Sequence, residues 1–530
     1  MSASCPQCGY NGQDHLPLSF EAADLSVSRM DELLKSNNPP LPAEHVQLES
    51  AIGKGHGFLA GLQERIVQAR ASLDELLNEE RRVERTIECY KIIVRPICRI
   101  PEDVVREIFL TCLDTEKEGM DTLSGRFAPL FLSQVCRGWR SIALSTSRLW
   151  SSIRLDFDLY RDELACQYLL QTYVLRSATH DITLSIHSTR DISKSHLIPV
   201  LLLSAPRWTN LSMTIPYNSL FAFSAARGSL HRLNRLSVQF IGDVPGLPAG
   251  LAKPIFDAFE YAPLLRSFSL RGAYRGISQI NVPWSQLTEY AGHDLTSSYM
   301  DILKLAPDME SASLQCDEDS EYDHGVVRPS AHQRLRVLHV HEVEDNLDSL
   351  VPPEGGICHV LSHLEVPALE SLSITYMHLY VHIPTSLRGS TAKNLKSLSI
   401  AVPAFIHVGF QADLINLLKT TTSLSSLSVP YPLALADDQN ALFLYLNVNI
   451  NPDAVPKLIS LAFRFINAEP YMSPAFLDMV QSRKHATPTR AALQTLHLSV
   501  PFVIPPVDPD VAARWDDLCD EGFVTYKTEE

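Results

Sequence analysis

Leu395-Lys396-Ser397-Leu398-Ser399-Ile400 carries a six-residue rule that returns through most of the chain: apolar, two residues, apolar, one residue, apolar. The same spacing occurs at Trp208/Leu211/Met213, Leu233/Leu236/Val238, Leu265/Phe268/Leu270, Leu335/Leu338/Val340 and Leu369/Leu372/Ile374. It recurs at Leu424/Leu427/Val429, Leu458/Leu461/Phe463 and Leu493/Leu496/Leu498. Degenerate copies start at Trp284 and Met309, and a partial one holds Leu184 and Ile186. Successive starts from Trp208 lie 19 to 35 residues apart. In such a unit the last two apolar residues alternate as in a strand and point inward, while the residue between them faces out. One unit cannot bury its apolar side alone, whereas stacked neighbours can. Segments between units, such as Phe410 to Thr420, have the apolar spacing of helices and would cover the other side.

This pattern resembles irregular leucine-rich repeats over residues 180–500. Most spacings lie in or just above that family's range of roughly 20–29 residues, although its usual Asn is missing. The resemblance implies a solenoid of parallel strands with helical connections over residues 158–505, followed by an acidic tail at 506–530. A conventional α/β domain with leucine-rich strands is the competing reading, and the near-regular returns weigh against it. The outward row (Ser237, Ser269, His339, Ser373, Ser399, Ser428, Ala462 and His497) would line the open sheet. It is mostly small and polar, so recognition is expected to lean on loops at its rim.

Before the repeats the chain changes character twice. Residues 1–42, ending in a proline cluster, read as a disordered arm and linker. Residues 43–95 read as a coiled-coil-like helix, with Gly53-Lys54-Gly55-His56-Gly57 as a weak spot or break before its seam. That seam is Leu59, Leu62, Ile66, Ala69, Leu73, Leu76, Glu80, Val83, Ile87 and Tyr90, stepping by three and four, with charged residues between. It would pair with another chain or pack within its own, and sequence leaves both open. Pro96 ends the helix. Ile97 to Leu110 then place Pro101 and two acids at a helix start, with Val104, Val105, Ile108 and Phe109 on one apolar face. A polar loop from Asp114 to Gly125 precedes Leu132, Val135, Cys136, Trp139, Ile142 and Ala143 at helical spacing.

Residues 96–157, opening Ile-Pro-Glu-Asp-Val and continuing through Val-Cys-Arg-Gly-Trp-Arg to Ser-Thr-Ser-Arg-Leu-Trp, resemble the trihelical F-box. With the coil before it, the N-terminal third is similar to F-box proteins abundant in mushroom-forming fungi. Ile100 stands where the common pattern has Leu, and the interhelical loop is longer than usual. An ordinary three-helix bundle is the plainer alternative. The resemblance implies docking on a Skp-family adaptor, and through it a cullin, by Ile100, Pro101, Val104, Ile108, Phe109, Leu132, Val135, Cys136 and Trp139. Some of these must instead hold the bundle's own core. The fold expected is thus mixed α/β and multidomain: coil helix, F-box, then irregular repeat solenoid.

Charge and composition exclude other classes. A net charge of -16 lacks the positive field that phosphate backbones require, so no nucleic acid is expected. The longest apolar run, His196 to Pro206, is too short to span a bilayer, and the first residues lack a secretory pattern. Scattered cysteines suit a reducing compartment, cytoplasmic or nuclear. Cys5 and Cys8 form half a zinc ribbon, with His15 as a conceivable third ligand, but no second pair is near, and no cofactor is expected. His359 and His363 near Cys358, and His378 with His382, supply no assembled catalytic set. The acidic run Asp317 to Asp323 reads as a solvated loop. The chain is therefore expected to be a non-enzymatic adaptor subunit of a ubiquitin ligase, whose repeats hold an unknown target protein. The alternative is a repeat scaffold that self-associates through its coil.

Overall fold

The computed structural model describes residue 20 and residues 24–528, apart from 95, 115–120, 125–126, 161, 243–254, 273–279, 295, 317–329, 343–355, 377–382, 384–386, 388–389, 403–409, 432–439, 466–472, 501–508 and 523. The chain divides into two compact units, 1–101 and 102–530.

In the first unit, α1 (Val27–Lys35) leads into the 53-residue α2 (Pro42–Val94). Part of the expected disordered arm is therefore a helix. Ser26 caps it by accepting the Arg29 amide at 3.4 Å. Arg29 grips the Glu44 carboxylate with two nitrogens at 3.1 and 3.2 Å, and the same carboxylate accepts the Leu41 amide at 2.8 Å, closing the first turn of α2. Pro42 occupies the first helical position, where no amide is missed. Of the weak spot or break expected at Gly53–Gly57, the break does not occur, since the helix runs through it. Each glycine costs about 1 kcal/mol relative to Ala, too little to stop a helix continued by a long run of strong formers. Gly55 also lies against the Phe20 ring, where a Cβ would be tight at 3.3 Å. Before Pro96 the helix ends at Val94, and none of its residues is buried.

The second unit opens with α3 (Glu102–Asp114), α4 (Ala128–Val135) and α5 (Arg137–Ser145). A 3-10 turn (Ser147–Trp150) then enters the sheet. Among the described residues, beside a small two-stranded sheet of Ser330–Ala331 and Leu364–Glu365, one sheet of fourteen strands follows in chain order, every neighbouring pair parallel. They are β1 (Ser152–Asp156), β2 (Ile182–His187), β3 (Trp208–Ile215), β4 (Arg235–Phe240), β5 (Ser267–Arg271), β6 (Glu289–Asp294) and β7 (Ser311–Cys316). After these come β8 (Val337–Glu342), β9 (Ser371–Thr375), β10 (Ser397–Ala401), β11 (Ser426–Tyr431), β12 (Ser460–Phe465), β13 (Thr495–Val500) and β14 (Val524–Thr528). Leucines align across the ladder, as Leu338, Leu372, Leu398 and Leu427 do, and all four are buried. Helices such as Phe410–Leu418 and Pro474–Ser482 bury apolar residues in the connections. This is the solenoid-like repeat architecture expected.

Two boundaries and one frame change. β1 lies inside the stretch assigned to the F-box, so the solenoid begins there, with Trp150 in the leading position three residues before Ile153. The bundle and the first repeat overlap in sequence. At the other end, the expected acidic tail forms a helix (Pro509–Asp520) that buries Val511, Trp515 and Leu518, followed by β14. It is the last repeat. The copy read from Trp284 is out of frame by three residues. Phe268 pairs with Tyr290, so the true unit is Leu287/Tyr290/Gly292, starting 22 residues after Leu265. Leu287 is fully buried, whereas Trp284 sits in a 3-10 turn. Gly292 takes the last apolar position of the corrected unit because Tyr290 fills the space that its Cβ would need.

Leu398 is fully buried and Ser399, next along the strand, is half-exposed. Leu398→Ala is expected to lower stability by about 3 kcal/mol. Ser399→Ala is expected to cost less than about 0.5 kcal/mol. Denaturant melts of the two variants compare them directly, and equal damage would contradict the alternation.

Candidate functional site

The helical bundle divides the nine expected docking residues into separate groups. Phe109 is fully buried and meets the Trp139 ring edge-on, with centroids 4.9 Å apart. Leu132 and Val105 are buried with them. Phe109 and Leu132 are thus core residues, which corrects their assignment to docking, while Trp139 packs on Phe109 and stays half-exposed. Cys136 is exposed, but its Sγ accepts the Trp139 amide at 3.4 Å and caps α5, so its first task is local. Ile100 is half-buried and Pro101 exposed at the end of the N-terminal unit.

Of the expected docking residues, Val104 and Ile108 on α3 and Val135 on α4 face solvent, at 44%, 43% and 52% exposure. Phe131, one turn before Val135, is 57% exposed and was missed. Hidden in the apolar run Leu130-Phe131-Leu132, it shows its role only once Leu132 is known to face inward. Two i, i+4 apolar pairs on two helices that pack together therefore face solvent.

A second omission lies in the loop read only as a separator. Asp121, Thr122 and Leu123 are buried. Thr122 donates its amide to the Arg154 carbonyl at 2.8 Å, and its hydroxyl accepts the Arg154 amide at 2.7 Å. Asp121 accepts the Asp156 amide at 2.8 Å, the Leu123 amide at 2.8 Å, the Ser124 amide at 3.1 Å and the Tyr160 hydroxyl. The turn thus satisfies the backbone of β1 on the side that lacks a neighbouring strand, closing an edge that would otherwise invite pairing. Trp150 completes the joint. It donates its indole N–H to Ala143 at 2.8 Å, stacks edge-on with Tyr173 at 4.8 Å and lies beneath Arg176. The bundle is therefore the N-terminal cap of the repeat array. Burial pushes the Asp121 carboxyl above its ordinary range, against the pull of Tyr160 and the backbone amides toward the charged form.

The open face carries the expected outward row in register, Ser237 beside Ser269 and His339 beside Ser373, Ser399 and Ser428. His339 and His497 are exposed, and the other six are partly so. At the strand starts a second row runs along the sheet edge. There Lys396 pairs with Glu370 at 2.7 Å, and that contact, with Arg336 nearby, holds the Glu370 carboxyl below its ordinary range. A polar cleft of about 640 Å³ opens at the same edge between Asp181, Asn210, Arg232, Asn234 and Arg235. Its Arg232 is paired with Asp181 at 2.7 Å.

Chemistry is sparse among the described residues. Asp156, Asp158 and His187 hold ligand atoms within 4.8 Å of one another. The two carboxylates accept backbone amides of Asp158 and Thr189 at 3.1 and 2.8 Å, as turn residues do. Cys5, Cys8, His15, Asp317–Asp323, His378 and His382 lie outside the described residues, as do the side chains of Cys358 and His359. His363 ends a short helix (Gly356–His363). No described helix is long and apolar enough to cross a membrane.

No protein-family model matches this sequence, and no curated protein matches it either. Among solved structures it is similar to a chain in the crystal structure of the Rad7 and Elc1 complex in yeast, at 14% identity and a TM-score of 0.30. That likeness covers 85% of this chain and 94% of the other.

Proposed function

We propose that this protein is a substrate-recognition adaptor of a Skp-cullin-F-box ubiquitin ligase, performing no chemistry of its own. α3 and α4 receive a Skp-family adaptor through Val104, Ile108, Phe131 and Val135. The open face and rim of the parallel sheet receive the target. The observation that carries this reading is the pair of solvent-facing apolar ridges on a bundle whose core is already filled by Phe109 and Leu132, with Trp139 packed on Phe109. Such residues lower stability or solubility unless a partner covers them. Because the bundle also caps β1 through Asp121 and Thr122, target and adaptor are held on one packed body. That arrangement raises the effective concentration of the target near the enzyme that modifies it.

Pull-down of a Skp-family adaptor by the full chain tests the proposal. Wild type is expected to retain it, and Val104→Lys with Val135→Lys to lose at least tenfold of binding at unchanged melting temperature. Both substitutions sit on exposed positions, so loss of fold is not the expected outcome. Failure of the wild type to retain the adaptor, or full retention by the double variant, rejects the reading.

A further inference from the structure

From residue 62 onward α2 exposes its seam along the helix: Ile66, Leu73, Leu76, Val83, Ile87 and Tyr90 are 44–69% exposed. A stripe of that kind asks for a second helix, and the charges around it select which one. In heptad terms Leu59, Ile66, Leu73, Glu80 and Ile87 occupy one seam position, and Leu62, Ala69, Leu76, Val83 and Tyr90 the other. Arg65 and Glu79 flank the first set, while Arg70 and Glu84 flank the second.

A parallel, in-register pair stacks the seam's leucines but is penalised at Glu80, at Ala69 and at its flanks. It sets Glu80 against its own copy inside the seam and Ala69 against Ala69, leaving a gap. It also brings Arg65 beside Arg70 and Glu79 beside Glu84 across the interface. An antiparallel pair centred between Asp74 and Glu75 reverses each term. Leu73 meets Leu76, Ile66 meets Val83 and Leu62 meets Ile87. Glu80 faces the small Ala69, with Arg70 of the second copy beside it. Arg65 comes opposite Glu79, and Arg70 opposite Glu84. Within one chain Arg65, Arg70, Glu80 and Glu84 have no ion pair among the described residues, whereas Glu79 already holds Arg82.

We propose that two copies of this chain associate through α2 as an antiparallel pair, with a two-fold axis near Asp74 and Glu75. The pairing is independent of adaptor docking, since it uses none of the residues on α3 or α4. It would put two sheet faces into one assembly, so that a target with repeated epitopes binds by avidity.

Sedimentation of the full chain at micromolar concentration, with helix content followed by circular dichroism, tests it. Wild type is expected to be a dimer. Arg65→Glu with Arg70→Glu, and separately Glu79→Arg with Glu84→Arg, should each weaken dimerisation at least tenfold. An equimolar mixture of the two variants should restore it, because every flank is then oppositely charged. Leu73→Asp should give a monomer of unchanged helicity. A monomeric wild type, charge-reversed variants that dimerise as well as wild type, or a mixture that stays monomeric overturns the antiparallel pair.

Discussion

Replacing Asp121 by Ala is expected to lower the stability of the bundle and first repeats by about 4 kcal/mol, because it strands several donors at once. The Leu123, Ser124 and Asp156 amides and the Tyr160 hydroxyl all converge on this carboxylate, whose residue is 6% exposed. Asp121→Asn should cost less, because its oxygen still accepts Leu123 and Ser124 while its NH2 meets the Asp156 amide donor to donor. A pH series separates charge from geometry. The folded carboxyl titrates above its unfolded value, so between the two values the folded state binds more protons. Stability then falls as pH rises from the ordinary carboxylate value to the raised one, and is flat above it. The Asn variant lacks this slope. Denaturant melts at several pH values, with hydrogen exchange over β1 and α3–α5, would show both effects. A loss below about 1 kcal/mol for Asp121→Ala would mean that the edge of β1 does not depend on this turn.

Most of the repeat array was legible because its signal is local. Two inward residues with one between them, returning at near-regular distance, constrain strand, direction and stacking together. The failures share a physical origin. At Tyr290 and Gly292 one large side chain fills two sites, so the pattern vanished where packing was kept. In the last repeat, Asp510, Asp516 and Asp517 suggested a tail, while Val511, Trp515 and Leu518 recur at i, i+4 and i+7 on the inner face. Asp121 was not legible at all, since a polar loop residue becomes structural only through Asp156 and Tyr160, which lie 35 and 39 positions away. The solvent-facing apolar ridges of the bundle were half legible for the same reason. Val104 and Phe109 share an apolar stretch, and only the packing of Phe109 on Trp139 leaves Val104 outside.

Arg483 offers the second large effect, and it too was silent in the sequence. Its side chain is fully inside, at 1% exposure, and meets carbonyl oxygens where an ion pair might have been sought. Nε donates to Leu446 at 2.7 Å, and the two terminal nitrogens donate to Ala454 at 2.6 Å and Val455 at 3.2 Å. Burial, with Arg490 nearby, pushes its pKa down to about 10, so it remains charged at neutral pH. Val455 has a φ of 41°, a conformation that a β-branched residue adopts only under restraint. Ala178 is the other non-glycine at positive φ among the described residues, and an arginine, Arg207, likewise binds its carbonyl. The guanidinium fork thus pins a strained turn in each case, 29 and 28 residues earlier in the chain. Arg483→Ala removes three donors and leaves a cavity, so a loss of about 4 kcal/mol is expected. Arg483→Met refills much of the volume without the donors and should recover only part of it. Since each repeat touches chiefly its neighbours, exchange protection should fall first between residues 441 and 498 and leave β3 and β4 unaffected. Uniform loss of protection from β1 to β14 would show a single cooperative body, and a loss under about 1 kcal/mol would show that the turn at Val455 stands without the arginine.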